Sequence, residues 1–151
     1  RRLRGLDGST YRYSGESKVA VLIGINDVNN ANNVNVDQKI EQTITCLKQG
    51  WSYIANTLKA TPVVLTYPPI GANTQVWGPT VPASANASAL NLAIQNAVTQ
   101  FNANQRTNGR KEADLVVLGN AYSPATHTTD GVHPNPAGAL TIARYIYWRY
   151  H

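Results

Sequence analysis

Three stretches of this chain run almost wholly apolar, Val19–Ile23, Val63–Thr66 and Leu115–Leu118. Each leads into a polar loop and then into a stretch where apolar residues recur every three or four positions. An uninterrupted apolar run is the pattern of a strand covered on both faces, as in a parallel sheet. The three- and four-residue recurrence is that of a helix with one buried stripe. In the first helix the stripe is Val36, Ile40, Ile44, Leu47, Trp51, Ile54 and Leu58, with Asn35 as N-cap and Gln38 three residues on as its capping-box partner. Gly50 interrupts the run without breaking the pattern. The second helix covers about Ser88–Ala103, with Leu90, Ile94, Ala97, Val98 and Phe101 inward. The third starts at the cap Asn135 and at Pro136, and carries Leu140, Ala143, Ile146 and Tyr147. The predicted core is Ile44, Leu47, Ile54, Val64, Leu65, Val116, Val117 and Leu140.

The order β-α-β-α-β-α predicts right-handed crossovers and a three-layer α/β/α sandwich around a parallel sheet. Residues 1–17, with three glycines and no apolar run, read as loop or as a cut N-terminal segment; residues 18–151 read as one α/β domain. Ligands of such sheets bind beyond the carboxyl ends of the strands. GIND follows the first strand, TYPPIGANTQVWG the second and GNAYSPATHTTDGVHP the third, so all three loops are expected on one edge.

Composition narrows the partners. Charged residues make up 14% of 151 residues, and the formal charge of +5 owes three positives to Arg1, Arg2 and Arg4. The body is nearly neutral, with only a small Arg106, Arg110, Lys111 cluster, and nucleic acid is not expected as a partner. The chain contains no apolar run of about 18 residues that would span a membrane. One cysteine, Cys46, excludes an internal disulfide and leaves the compartment open, with a secreted or extracellular one favoured. Methionine is absent and the chain opens RRLR, so residue 1 reads as a cut end or a boundary. The Asn-rich NDVNNANNVNV reads as a polar surface loop.

Two short motifs carry chemistry. Asp130 and His133 sit on a glycine-containing turn before the last helix. A carboxylate that holds the Nδ1–H of a histidine leaves Nε2 free to act as a general base. Taken alone, the same pair also fits a capped turn with a surface histidine. His127 is separated from His133 by five loop residues and no cysteine cluster accompanies them, so neither a metal nor a cofactor is expected. In Gly24–Asp27, Asn26 can project its amide over the strand end as an oxyanion donor. A nucleotide-binding reading lacks both GxGxxG and a P-loop.

Together, GxND closing an apolar strand and DxxHP opening the last helix about a hundred residues later resemble the SGNH (GDSL-type) serine hydrolases. The resemblance covers residues 18–150 and implies a flavodoxin-like sheet. It assigns oxyanion-hole roles to Asn26 and Gly24, the base to His133 and its orienting acid to Asp130. It also implies hydrolysis of an ester, with an O-acetylated carbohydrate as one substrate class. Asp27 and the loop aromatics Tyr67, Trp77 and Tyr122 are candidates for substrate contact, the aromatics by stacking on sugar rings.

One family block has no counterpart. The family's nucleophilic serine lies in a GDS block after a strand well ahead of GxND, and only 23 residues precede Gly24 here. Ser9, Ser14 and Ser17 stand too close to the first strand to fill that place, with Ser9 the first of them to test. The family's first strand pairs beside the GxND strand, so without it Val19–Ile23 would expose an apolar edge. The expectation is therefore a domain lacking its N-terminal strand, whose serine lies on a segment of the same protein missing from this chain and acting as its partner. The alternative is a non-catalytic binding or assembly module of the same fold.

Overall fold

A computed structural model describes residues 17–29, 35–71, 83–119 and 121–151. Strands β1 (Lys18–Val21), β2 (Thr61–Leu65) and β3 (Asp114–Val116) form one sheet in the order β1-β2-β3. Both pairings are parallel, with Ala20 opposite Val63 and Val64 opposite Leu115. The helices are α1 (Ile25–Asn29), α2 (Val36–Ser52), α3 (Ala83–Thr107), α4 (Pro124–His127) and α5 (Pro136–Tyr150).

The continuous apolar run of β2 is explained by burial on both faces. Val64 packs with α2 and α3 residues such as Leu47, Trp51, Leu90 and Ile94. Val63 and Leu65 point the other way, with Val116 and Leu118, against Ile142, Tyr145 and Ile146 of α5. The result is the expected three-layer α/β/α sandwich. All five predicted inward residues of α3 are buried. Ile44 is half-buried against the same core as Leu47.

Several local expectations are corrected. Asn35 is the N-cap of α2, but its side chain makes no capping hydrogen bond. Beyond Ser52 the helix loosens into a π-helical turn, Tyr53–Thr57, where the Leu58 N–H reaches the Tyr53 carbonyl. β1 ends two residues before the predicted limit, and Ile23 is exposed. Val117 is 51% exposed because side chains alternate along a strand: Val116 and Leu118 turn toward α5, and Val117 turns away. Leu140 is 53% exposed, and Ala143 and Tyr147 also face solvent. The face of α5 on the sheet is instead Ile142, Tyr145, Ile146 and Tyr150. Two polar tethers set that rotation: Tyr150 Oη donates to Asp114 Oδ2 at 2.8 Å, and Tyr145 Oη accepts from the Ala121 N–H at 3.3 Å.

Among the described residues β1 has a strand neighbour on one side only. Lys18 and Ala20 are exposed there, and the Lys18 ammonium lies 4.6 Å from the centre of the Tyr150 ring. No helix among the described residues is long and apolar enough to cross a membrane.

The two leucines separate core from surface. Leu90→Ala should lower the free energy of unfolding by about 2–5 kcal/mol, the cost of a cavity in a packed core. Leu140→Ala should stay within about 0.5 kcal/mol. Equal losses in urea denaturation would contradict the orientation given for α5.

Candidate active site

The parallel register brings the ends of β1 and β2 and the loop before α5 to one edge. There they enclose a cavity of about 480 Å³, lined by residues 22–27, Tyr67, Pro68, Ile70 and residues 132–134. Asn26 and His133, from motifs about a hundred residues apart, therefore open onto the same space.

Gly24 makes the first corner. Its φ of +115° is one that side-chain-bearing residues rarely adopt, and a Cβ there would meet Thr43 Cγ2 at 2.5 Å. The chain then enters the single turn of α1, which buries Ile25 and Val28 and leaves Asn26 and Asp27 exposed. Among the described residues the Asn26 amide makes no hydrogen bond, so its N–H groups are available to a ligand.

The Asp130–His133 turn is held from within. Asp130 Oδ1 accepts from the backbone N–H groups of Val132 at 3.0 Å and His133 at 2.8 Å. Its Oδ2 lies 2.6 Å from His133 Nδ1. The His133 backbone N–H, then its ring, then the Val132 N–H hold the Asp130 carboxyl well below the usual carboxylate range. An ionised carboxylate only accepts, so the proton of this contact belongs to Nδ1. His133 Nε2 has no partner among the described residues, and the side chain is 57% exposed.

Further bonds fix the turn to its neighbours. Thr128 Oγ1 donates to the Pro124 carbonyl at 2.6 Å and accepts from the Gly131 N–H at 2.8 Å. Gly131, at φ +86°, gives its carbonyl to the Gly71 N–H, joining the turn to the loop after β2. Asn135 caps α5 as expected, accepting from the Gly138 N–H, and its amide donates to the carbonyls of Thr126 and Thr128. Thr128 escaped notice in the sequence, although a threonine just ahead of Asp130 is a turn-forming signal.

Of the loop aromatics, Tyr122 and Tyr67 are set into the protein rather than standing open as platforms. The Tyr122 ring is buried against His127, and its hydroxyl donates to the His127 carbonyl. It does not line the cavity. Tyr67 does, yet only 8% of it is exposed, so its ring face is not an open platform. Its Oη accepts from the Ile25 N–H at 3.1 Å. Its backbone N–H and carbonyl are both bound by the Asn91 side chain of α3, at 2.6 and 2.9 Å. Burial, offset in part by the Ile25 N–H and reinforced by Asp27, pushes the Tyr67 phenol up to about 12. Ser9 and Trp77 lie outside the described residues. No serine, threonine or cysteine is among the described residues lining the cavity. No cluster of three metal-ligating side chains occurs among the described residues.

A family model described as GDSL-like lipase/acylhydrolase matches residues 5–146. Among solved structures, the chain superposes on the acetyl xylan esterase AlAXEase with a TM-score of 0.64 at 15% identity, covering 91% of this chain and 68% of that one. It superposes on LAE5, an alpha/beta hydrolase enzyme from the metagenome of Lake Arreo, Spain, with a TM-score of 0.57 at 21% identity. A single-residue variant of Axe2, an acetyl xylan esterase from Geobacillus stearothermophilus, gives a TM-score of 0.57 at 19% identity. In these last two cases the match covers 87% of this chain and 58% of the other, so the chain spans less than two thirds of their length. A search of curated proteins finds no match.

The Asp130 contacts set a pH dependence. With its carboxyl depressed, the folded chain takes up that proton less readily than the unfolded chain. The stabilisation is present at neutral pH and is lost as pH falls below about 4, the ordinary aspartate value, toward the folded one. Urea midpoints of the native chain and Asp130→Asn should therefore differ at pH 7, and the difference should shrink steadily as pH falls from about 4 toward 2. A constant difference would show that the ionised carboxylate is not the stabilising species.

Proposed function

Because the chain belongs to the GDSL-like lipase/acylhydrolase family, we propose that it carries the base, the orienting acid and an oxyanion donor of a serine esterase. The observation that carries this reading is the 2.6 Å contact between Asp130 Oδ2 and His133 Nδ1, at a cavity that Asn26 also lines.

The reaction is acyl transfer to water. A serine hydroxyl attacks the ester carbonyl carbon and gives its proton to His133 Nε2. Asp130 holds the ring through Nδ1 and stabilises the imidazolium that forms. The carbonyl oxygen becomes an oxyanion, which the Asn26 amide meets as a donor, with Gly24 shaping the corner that carries it. Collapse expels the alcohol, which takes the proton from Nε2, and a water molecule repeats the sequence to free the acid. Ester cleavage by this route needs no metal or cofactor.

The nucleophile is assigned to a serine on polypeptide beyond these 151 residues. Two features support this: among the described residues no serine, threonine or cysteine lines the cavity, and β1 has a strand neighbour on one side only. For the substrate, two of the similar folds belong to acetyl xylan esterases, which supports an O-acetylated carbohydrate. Asp27, which also lines the cavity, is the side chain proposed to meet sugar hydroxyls.

The chain alone should leave p-nitrophenyl acetate and acetylated xylan uncleaved above a His133→Ala control. Adding the upstream serine segment, in trans or as one longer chain, should restore cleavage. In that form His133→Ala should remove most activity, and Asn26→Ala should cost on the order of a hundredfold. Hydrolysis by the isolated chain would reveal a local nucleophile, with Ser9 the first to mutate. An inactive complete form would instead mark a non-catalytic module.

A further inference from the structure

The cavity is lined by a second side chain with a polar end, Tyr67, beside Asn26. Tyr67 is buried through its ring and anchored at both backbone atoms by Asn91, so its hydroxyl has little freedom to move. That hydroxyl already accepts the Ile25 N–H at 3.1 Å, which leaves its own proton to donate. No described residue accepts that proton, and the residue lines the cavity with Asn26 and His133. We propose that the Tyr67 hydroxyl is a direct oxyanion donor, acting beside Asn26 on the carbonyl oxygen of the ester. The inference rests on the esterase reading above and adds a residue to its chemistry.

Three further features fit this role. A donor that is itself receiving a hydrogen bond is polarised and becomes a stronger donor. The phenol, held neutral up to about 12, keeps its proton across the working range of a histidine base. The Ile25 N–H that it receives belongs to the residue before Asn26, so one bond ties the Tyr67 hydroxyl to the turn that carries Asn26. A donor that is already oriented when charge develops stabilises the transition state without first having to reorganise.

The test uses the serine-complemented protein with p-nitrophenyl acetate. Tyr67→Phe should lower kcat roughly ten- to a hundredfold with little change in KM. Site-specific 3-fluorotyrosine at position 67 keeps both hydrogen bonds and should keep kcat near that of the native protein. A Phe variant that folds and retains kcat within about twofold would overturn the proposal, as would a loss seen only in KM. If Tyr67→Phe fails to fold, the fluorinated chain carries the test: its ¹⁹F resonance should shift saturably on titration with ethylphosphonate, an oxyanion mimic. The shift should be weakened by Asn26→Ala. No saturable shift would sink the assignment. A complete protein without esterase activity would remove the underlying reading, whereas the ¹⁹F titration reports on the hydroxyl by itself.

Discussion

Every residue from Pro62 to Pro68 is buried, and this one segment dictates much of the molecule. A backbone removed from water must have its N–H and C=O groups paired. Along β2 the pairing comes from β1 on one side and β3 on the other. Past the end of regular pairing, side chains take over. Thr66 Oγ1 accepts from the Leu118 N–H, and the Asn91 amide closes on both backbone groups of Tyr67. A comparable clasp joins Asn102 of α3 to the backbone of Ala113, just before β3. Helix α3 thus fixes where β2 and β3 sit, and parallel pairing puts their carboxyl ends on one edge. The site follows from the need to satisfy a buried strand.

What that edge gains is a pair of charge-handling groups with unequal surroundings. Asp130 is ringed by donors and stays ionised, while the Nε2 side of His133 remains open. The strength of the pair lies less in Coulomb attraction, since both side chains are partly exposed, than in direction. Oδ1 is committed to two backbone N–H groups, so Oδ2 is left facing the ring. Thr128 and Asn135 then stop the turn from drifting relative to α4 and α5. Asn26 reaches the same cavity from the far side of the sheet, because Gly24 supplies a corner that other residues would strain to make.

The features legible in the sequence were those written in local periodicity. The apolar runs at 63–66 and 115–118 and the stripe of Leu90, Ile94, Val98 and Phe101 specified strands and a helix without outside help. GxND and DxxH named Asn26, Asp130 and His133, because turn geometry and chemistry coincide within a few residues there. The face of α5 is not legible in the sequence, because its apolar residues surround much of the helix and only the tethers at Tyr145 and Tyr150 choose between them. The setting of Tyr67 is not legible in the sequence, because nothing local to TYPPI signals an asparagine 24 residues away closing on its backbone. The clasp of Asn91 was invisible for the same reason: its meaning lies in a contact between elements.

Asp130 meets the His133 ring at Nδ1 and so sets its tautomer, which leaves Nε2 as the nitrogen proposed to act as the base. Long-range ¹H–¹⁵N correlation spectra of the His133 ring test this directly. In the neutral ring the account predicts a protonated Nδ1 and an unprotonated Nε2, with that preference weakened or reversed in Asp130→Asn. A neutral ring carrying its proton on Nε2 in the native chain would contradict it, since the nitrogen proposed as the base would then have no lone pair with which to take a proton.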